Sequence, residues 1–537
     1  MKVSNLIIIA LIFTIISCKS SLEKPEDIQI IPQPVDLVQT GEDFVINENL
    51  TIYFDESVGD MEKAAIFLQN ILGVLNSGSP EFVKEQGESQ IQLLFNSELE
   101  KEEYYLNVNE ERVEIVGGSA QAVFLGIQTL RQLMPIEFES GAKMDKITVR
   151  AASIKDKPRF SYRGMHFDVC RHFFTVEEVK QYIDLLVLHK FNTFHWHLTE
   201  DQAWRIEIKK HPKLTEIGSY RSETVIGKNT GVYDGTPHSG YFTQEDIKEV
   251  VKYAEDRFLL VIPEIEMPGH ALAALASYPE LGCSGGPYEV AKTWGVFEEV
   301  FCAGNEQVFE LLEDVIDEVC EMFPNSPYIH IGGDECPKDA WKACAKCQAR
   351  IAEENLTDEN ELQSYFVTRM EKYINSKGRK IIGWDEILEG GLAPNATVLS
   401  WQGEEGGIAA ARMGHDVIMA PTSICYFDYY QTTDTANEPY SIGGHVSVEI
   451  VYNWEPVPSV LNEDEAKHIL GGQANLWTEY ISTISHAQYM VLPRMAALSE
   501  VLWTKNKPGF DDFINRLQIL MQRYEAAGYN YAKHYQK

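Results

Sequence analysis

Two adjacent carboxylates, Asp334 and Glu335, follow a short apolar stretch and two glycines, and their types suit acid–base chemistry. Most glycosidases place two carboxyl groups about 5–9.5 Å apart across the scissile bond. Neighbours at the end of one strand cannot straddle a sugar in that way. One of them can still act as the acid if the nucleophile comes from elsewhere, and an N-acetyl group on the substrate can supply it.

Further carboxylate, imidazole, guanidinium and indole groups recur where short apolar runs end. They are Asp168, Arg171, His172, His195, His197, Glu200, Asp201, Glu264, Glu266, His270, Trp384, Asp385, Glu386, Trp401, Tyr426, Asp428, Trp477 and Glu479. Sugar rings stack on indoles and their hydroxyls bind carboxylates, so this combination favours a carbohydrate ligand.

Eight apolar runs position these groups, and longer helical patterns follow most of them. The runs are Tyr162–Val169, Phe191–Leu198, Leu259–Met267, Tyr328–Gly333, Lys380–Trp384, Thr397–Trp401, Asp416–Ala420 and Ile469–Trp477. Strands alternating with helices predict a parallel (β/α)8 TIM barrel, whose strands are apolar because both faces are buried. Such barrels carry their active sites at the C-terminal ends of the strands.

The remaining segments divide the chain around this barrel. Residues 28–156 alternate with strand period around two helical patterns, which predicts a smaller α+β accessory domain. The barrel is assigned to residues 157–505, and residues 506–537 are expected to form a C-terminal helical extension. The fold class is therefore α/β, a TIM barrel preceded by an α+β domain.

The net charge of the chain argues against two classes of binding partner, nucleic acids and anionic lipid surfaces. The 537 residues carry a formal net charge of −35, which repels phosphate backbones and disfavours docking on anionic lipid. We therefore expect no nucleic-acid partner.

The first residues predict an export signal. Lys2 precedes an apolar run, Leu6–Ile16, that is too short for a membrane span of roughly 20 residues. Cys18 directly follows the small residue Ser17, as in bacterial lipoprotein signals. Residues 1–17 are thus read as a lipoprotein signal peptide and residues 18–27 as a tether. The protein is expected to be exported and held at a membrane only by a lipid on Cys18; an ordinary signal peptide is the alternative.

Export makes disulfides possible, and Cys283 and Cys302, which flank a Gly/Pro-rich loop, are the preferred pair. Cys336, Cys344 and Cys347 form a second group. Three thiols could hold zinc with a histidine, but a local disulfide or free buried thiols are favoured because no second half of a zinc ribbon follows.

The segment His330-Ile331-Gly332-Gly333-Asp334-Glu335 resembles the H-x-G-G-D-E signature of family 20 glycoside hydrolases, the β-N-acetylhexosaminidases. Supporting matches are Tyr162–Gly164 with Asp168–Phe173, Phe194–Leu198, Met267–His270 and Leu476–Glu479. The resemblance covers the whole barrel, and the N-terminal unit is similar to the family's accessory domain. It implies release of terminal non-reducing β-linked N-acetylhexosamine, GlcNAc or GalNAc, from glycans. It also implies retention of configuration through an oxazolinium intermediate, without cofactor or metal.

Residue by residue, the resemblance implies the following roles. Glu335 is the general acid/base, Asp334 holds the acetamido N–H, and His270 belongs to a polar relay. Tyr426 binds the acetamido carbonyl. The substrate pocket is completed by Arg163, Asp201, Trp384, Trp401, Asp428, Trp477 and Glu479. Glu335 is expected to keep a proton near neutral pH while Asp334 stays ionised, because a close carboxylate raises its neighbour's pKa.

The chain departs from the family pattern at Glu266, where the family usually has Asp four residues before the histidine. The partner of His270 in the relay is therefore open. His195, His197, Arg171 and His172 are interpreted as structural. The Asp334-Glu335 pair could also merely cap a helix, although its place in the barrel argues for a site.

Other functions stay open at this stage. Relatives that release a disaccharide make a lacto-N-biosidase-like activity an alternative. A metal-dependent hydrolase could use His195, His197, His270, His330 and Asp428. A non-catalytic glycan-binding lipoprotein is disfavoured because Glu335, the acid, is present.

Overall fold

The accessory domain is built on a mixed sheet. The structure is a computed structural model that describes residues 28–47 and 49–536, so the predicted signal peptide, Cys18 and the tether lie outside the described residues. Seven strands pair in the order Asp36–Gln39, Ala152–Asp156, Tyr104–Val108, Val113–Gly117, Ile91–Phe95, Thr51–Phe54 and Glu81–Phe82. The helices Met61–Leu72 and Ala120–Leu133 pack against this sheet and against each other. A separate antiparallel pair joins Phe44–Ile46 to Ile147–Val149.

The predicted (β/α)8 barrel is confirmed. Its eight strands, labelled β1 to β8 in chain order, are Tyr162–Asp168, Thr193–His197, Leu260–Glu264, Tyr328–His330, Lys380–Trp384, Thr397–Ser400, Val417–Met419 and Ile469–Ala474. Each strand pairs in parallel with the next, and β8 closes on β1. Nearly every strand residue is buried, as the continuous apolar runs predict.

Helices separate most of the strands. In the barrel, the longer helices are Val176–Leu188, Gln244–Glu255, Glu306–Met322, Ala345–Glu353, Glu359–Ser376, Glu405–Arg412, Ile484–Val491 and Arg494–Trp503. The segment after β8 forms two helices, Ile484–Val491 and Arg494–Trp503, because Pro493 lacks the N–H that would continue the first one. Only a 3-10 turn, Asp385–Leu388, lies between β5 and β6.

A buried ion pair joins the two domains. Lys190, after the first barrel helix, places Nζ 3.2 Å from Oδ2 of Asp156 in the accessory sheet, and both side chains are fully buried. The Tyr104 hydroxyl donates to the same carboxylate at 2.6 Å, and Trp503 Nε1 donates to its other oxygen at 2.9 Å. Burial lowers the pKa of Lys190, against the attraction of Asp156. Because unpaired buried charges are costly, these contacts fix how the domains pack.

Arg163 belongs to the same joint, which corrects its predicted role in sugar binding. It lies near the start of β1, and its guanidinium donates to Glu102 of the accessory domain at 2.7 and 3.1 Å. It also donates to the backbone carbonyls of Phe160 and Lys190 at 2.8 and 3.1 Å. The side chain is therefore at the N-terminal end of the barrel, opposite the strand ends that carry the candidate site.

The C-terminal segment contains a helix, Phe510–Ala526, that contacts both domains. Arg523 donates to the backbone carbonyls of Gln132 and Met134 at 2.7 and 2.6 Å. Arg516 pairs with the buried Glu500 at 2.6 Å and donates to the carbonyl of Ile30. Within the part of the chain that the structure describes, no helix combines the length and apolarity needed to cross a bilayer.

A buried carboxylate organises the barrel interior. Glu264 at the end of β3 lies 2.8 Å from His330 Nδ1 and 3.1 Å from His195 Nε2, and it also pairs with His197. Trp384 Nε1 donates to it at 2.9 Å. Although burial opposes the charge, the three imidazoles hold the pKa of Glu264 well below its usual range. These five residues are called the Glu264 cluster below.

Glu266, two residues further on, lacks such partners, and its pKa is shifted in the opposite direction. It is buried, and neither carboxyl oxygen has a hydrogen-bond partner among the described residues. Burial raises its pKa well above the usual range, and Asp334 and Glu264 add to the effect. The structure thus places a carboxyl group whose pKa is lowered two residues from one whose pKa is raised.

This contrast predicts opposite effects of the same substitution. Glu264→Gln removes the charge that compensates the buried imidazoles and should lower the free energy of unfolding by about 3–5 kcal/mol. Glu266→Gln should stabilise the protein, because the unfolded carboxyl ionises above its ordinary pKa of 4.5 while the folded one stays protonated. The gain should grow as the pH rises from 5 to 7 in denaturant titrations. Equal destabilisation by both variants would contradict this assignment.

Candidate active site

The C-terminal ends of the barrel strands bring together most of the predicted site residues. The pair Asp334 and Glu335 follows β4, and His270 follows β3 within contact distance of both. The aromatic and polar residues Trp384, Trp401, Tyr426, Asp428, Trp477 and Glu479 come from the ends of β5 to β8. Arg163 is the exception, as described above.

A sharp turn separates the two neighbouring carboxylates. Gly332 and Gly333 have φ of +65° and +94°, and a Cβ on Gly332 would lie 1.6 Å from Glu266 Oε2. Glu335 itself has a φ of +43°, a conformation that costs energy for a non-glycine residue and clusters at functional sites. As a result the Asp334 side chain is 11% exposed, whereas that of Glu335 is 40% exposed.

Burial decides the electrostatics of this pair. It raises the pKa of Asp334 to about 7, with help from the Glu335 charge and against the pull of His270. The expectation that Asp334 stays ionised near neutral pH did not include this rise of its pKa, because adjacent positions in sequence do not reveal which side chain is buried. Asp334 Oδ1 has no protein partner in the described ranges, which leaves it available to a ligand N–H.

His270 connects the acid to two buried carboxylates. Its Nδ1 lies 2.7 Å from Glu200 Oε1 and 2.8 Å from Asp201 Oδ2, and its Nε2 lies 3.5 Å from Glu335. Burial opposes a charged ring, yet Glu200, Asp201 and Glu335 together raise the pKa of His270 well above its usual value. The relay partner left open by Glu266 is therefore the pair Glu200 and Asp201. Glu266 makes no hydrogen bond to His270.

Aromatic rings form one wall. The ring centroids of Trp384 and Trp477 are 5.7 Å apart, and those of Trp401 and Tyr426 are 6.0 Å apart with planes 27° from parallel. Tyr426 also lies 6.5 Å from Trp477. The Trp401 indole donates to Glu386 at 2.7 Å, a residue to which the sequence analysis gave no role. Trp384 belongs to the Glu264 cluster and is buried, so it forms the floor of the site rather than an exposed wall.

A second group of carboxylates lies beside this wall. Both oxygens of Asp428 are buried without a protein partner in the described residues. Burial raises the pKa of Asp428 well above its usual range, and the charge of Glu479 adds to this. Burial likewise raises the pKa of Glu479, against the attraction of Arg171. Unpaired buried carboxyl oxygens are rare in proteins, and sugar hydroxyls would satisfy them.

Arg171, which the sequence analysis placed at a strand end but interpreted as structural, lies beside the site. Its Nη1 lies 3.3 Å from Asp168 and its Nη2 lies 3.2 Å from Glu200. The guanidinium carbon is 4.9 Å from the centre of the Trp477 ring. Its place after the C-terminal end of β1 was the available signal, since Arg163 comes before that strand's middle. Arg171 orders Glu200, which in turn contacts His270.

Three of the four histidines considered for a metal-dependent hydrolase point into the barrel interior. His195, His197 and His330 contact Glu264 and are at most 1% exposed. A catalytic metal requires a coordination position open to substrate. The geometry therefore favours a carbohydrate site in which carboxyl groups do the acid–base chemistry.

Comparison with known proteins agrees with this geometry. The model of the glycosyl hydrolase family 20 catalytic domain matches residues 160–506, and that of the family's domain 2 matches residues 27–157. A beta-hexosaminidase from Porphyromonas gingivalis is 47% identical over 516 residues, which covers 95% of this chain. The chain spans 65% of that protein's length.

Solved structures show the same likeness. The exo beta-N-acetylglucosaminidase from Vibrio harveyi, in complex with N-acetylglucosamine, superposes with a TM-score of 0.83 at 32% identity, covering 94% of this chain and 78% of that chain. A mutant Streptomyces plicatus beta-hexosaminidase in complex with the product GlcNAc gives a TM-score of 0.82 at 30% identity, covering 94% and 96%. With both of its domains matched, the chain belongs to glycosyl hydrolase family 20.

Proposed function

We propose that the protein is an exo-acting β-N-acetylhexosaminidase that removes terminal non-reducing β-linked N-acetyl-D-hexosamine from glycans. The observation that carries this is the pair Asp334 and Glu335, one buried with a free oxygen and one exposed, on consecutive residues of one strand end. Such a pair suits a substrate that brings its own acetamido nucleophile. The N-acetylglucosamine found in the Vibrio and Streptomyces structures supports the same substrate class.

In the first step the acetamido carbonyl oxygen attacks the anomeric carbon while the bond to the leaving oxygen breaks. Glu335 gives its proton to that oxygen, and a cyclic oxazolinium forms. Asp334 accepts a hydrogen bond from the acetamido N–H through its free oxygen and, when ionised, stabilises the positive charge. The Tyr426 hydroxyl, on the aromatic wall, holds the acetamido group from the other side.

In the second step Glu335 acts as the base. It takes a proton from water, which attacks the anomeric carbon and reopens the ring, so that two inversions give net retention. His270, held by Glu200 and Asp201, lies 3.5 Å from Glu335. Its imidazole can therefore stabilise Glu335 as that carboxyl group gives up and regains its proton. The sugar ring lies on Trp477 while Asp428, Glu479 and Arg171 bind its hydroxyls.

Removal of Glu335 should cost most on substrates with a poor leaving group. General acid–base help is worth roughly 10²–10⁴-fold. Glu335→Ala should therefore lose that factor in kcat on a β-linked disaccharide and far less on an activated aryl glycoside, which needs little protonation. Steady-state kinetics on both substrates measures the difference, with Glu389→Ala on the adjacent turn as the control. Equal losses on the two substrates would contradict the role.

Asp334 should set the acidic limb of the pH profile. Since its charged form stabilises the oxazolinium and its pKa is about 7, kcat/KM should fall as the pH is lowered through about 7. Asp334→Asn should slow even activated substrates. His270→Asn removes the positive charge that lowers this pKa, so the limb should move to higher pH. A profile that His270→Asn leaves in place would argue against the assignment.

A substrate panel tests the activity itself. β-Linked GlcNAc and GalNAc glycosides should release the monosaccharide, whereas the matching β-glucoside, which lacks the acetamido group, should be essentially unreactive. Efficient cleavage of the glucoside, or a sugar trapped covalently on a protein carboxylate, would overturn the mechanism. Release of a disaccharide would favour the lacto-N-biosidase-like alternative.

We also propose that the protein is exported and attached to a bacterial membrane through a lipid on Cys18. The support is the position of Cys18 directly after a short apolar run and a small residue. Cys18→Ala should release the protein from the membrane fraction without changing its specific activity, and Cys320→Ala serves as a control. A soluble wild-type protein with a mature N-terminus elsewhere would refute the anchor.

A further inference from the structure

Four cysteine side chains meet beside the active-site loops. Cys283 and Cys302 come from the loop after β3, and Cys344 and Cys347 come from the loop after β4. Cys302 Sγ lies 3.6 Å from Cys347 Sγ and 3.7 Å from Cys344 Sγ, and Cys283 Sγ lies 3.8 Å from Cys347 Sγ. All four sulfurs lie within 4.8 Å of one another. The expected Cys283–Cys302 disulfide is absent, since both residues carry free thiols.

The backbone of the two loops brings the four residues together. Gly282 and Phe301 form an antiparallel bridge, and the Cys302 N–H donates to the Leu281 carbonyl at 2.9 Å. On the other side, Cys344 directly precedes the helix Ala345–Glu353, which places Cys347 in its first turn. The two loops are also joined by a hydrogen bond from Trp341 Nε1 to the Phe301 carbonyl at 2.9 Å.

We propose that Cys283, Cys302, Cys344 and Cys347 bind a structural zinc ion. Four thiolates at about 2.3 Å from a tetrahedral Zn²⁺ lie about 3.8 Å from each other, which matches the three separations given above. A disulfide would instead pair the sulfurs, at about 2.05 Å. Here Cys302 and Cys347 each have two sulfur neighbours at nearly equal distances. Two loops therefore supply the four ligands that zinc requires, and no histidine is needed.

The surroundings also suit a thiolate–metal site. The Gly304 N–H donates to the sulfurs of Cys302 and Cys347, as second-shell donors do around bound metals. A Cβ at Gly304 would lie 2.2 Å from the Lys346 carbonyl carbon, so only glycine allows this approach. A cleft of about 410 Å³ lined by Cys283 and Cys344 reaches the cluster and provides a path for the ion.

The zinc would affect the active site only by holding the two loops in place. With four protein ligands it has no open position for substrate. The loop after β3 contains His270, and the loop after β4 contains Glu335, whose carboxylate lies 3.5 Å from the imidazole. A metal crosslink between these loops would hold the relay against the acid. This inference does not rest on the proposed hydrolase activity.

The first test uses the wild-type full chain, purified without reductant or added metal. Elemental analysis and native mass spectrometry should find about one zinc per chain. After denaturation with a chelator, all four cysteines should react with iodoacetamide. Absence of zinc, or peptides crosslinked by a disulfide among these cysteines, would overturn the proposal.

Variants provide the second test. Cys344→Ser should reduce bound zinc by at least about tenfold, whereas Cys344→His should retain it, because three thiolates and one imidazole also hold Zn²⁺. The control is Cys425→Ser, a buried thiol after β7 outside the cluster, which should leave the zinc content unchanged. Equal zinc in Cys344→Ser and wild type would refute the site. If Cys344→Ser does not accumulate, the wild-type zinc content and thiol count decide the question.

Discussion

The ionised carboxylate of Glu264, buried at the centre of the barrel, is the constraint on which the rest of the site depends. A buried charge is tolerated only when it is paired and hydrogen-bonded. Its partners come from β2, β4 and the end of β5, so the pairing holds neighbouring strands in register. Trp384 is fixed as the floor of the site by its indole hydrogen bond, and the turn at Gly332 begins two residues after His330.

Above this cluster the site contains carboxyl groups with charged partners and carboxyl groups with unpaired oxygens. Arg171 and His270 lie beside Glu200 and, although burial opposes it, hold its pKa well below the usual range. Asp334 and Asp428 are buried with unpaired oxygens, and burial raises the pKa of each. The paired carboxylates therefore serve the architecture, while the unpaired ones are left for a ligand. Whether a carboxyl group is paired or left for a ligand thus depends on its burial and its charged neighbours, not on whether it is Asp or Glu.

Much of this could be predicted from the sequence, because buried parallel strands read as apolar runs and the barrel places their ends together. Arg163 lies near the start of β1 and Arg171 follows its end, and only the direction of that strand tells which of them reaches the site. Which of two adjacent carboxylates is buried depends on the turn at Gly332 and Gly333. The spacing of the cysteines does not reveal that those on the loop after β3 contact those on the loop after β4.

The catalytic geometry is therefore held from several sides. His270 and Glu335 both have positive φ, at +46° and +43°, a conformation that persists only where the surroundings over-determine it. The Glu264 cluster supports them from below, and Glu200 and Asp201 hold the imidazole from the side. The loops that contain these two residues are long, so their distal parts need their own restraint. The proposed zinc, bound by four sulfurs on those same loops, would supply it and help the strained residues to keep their contact.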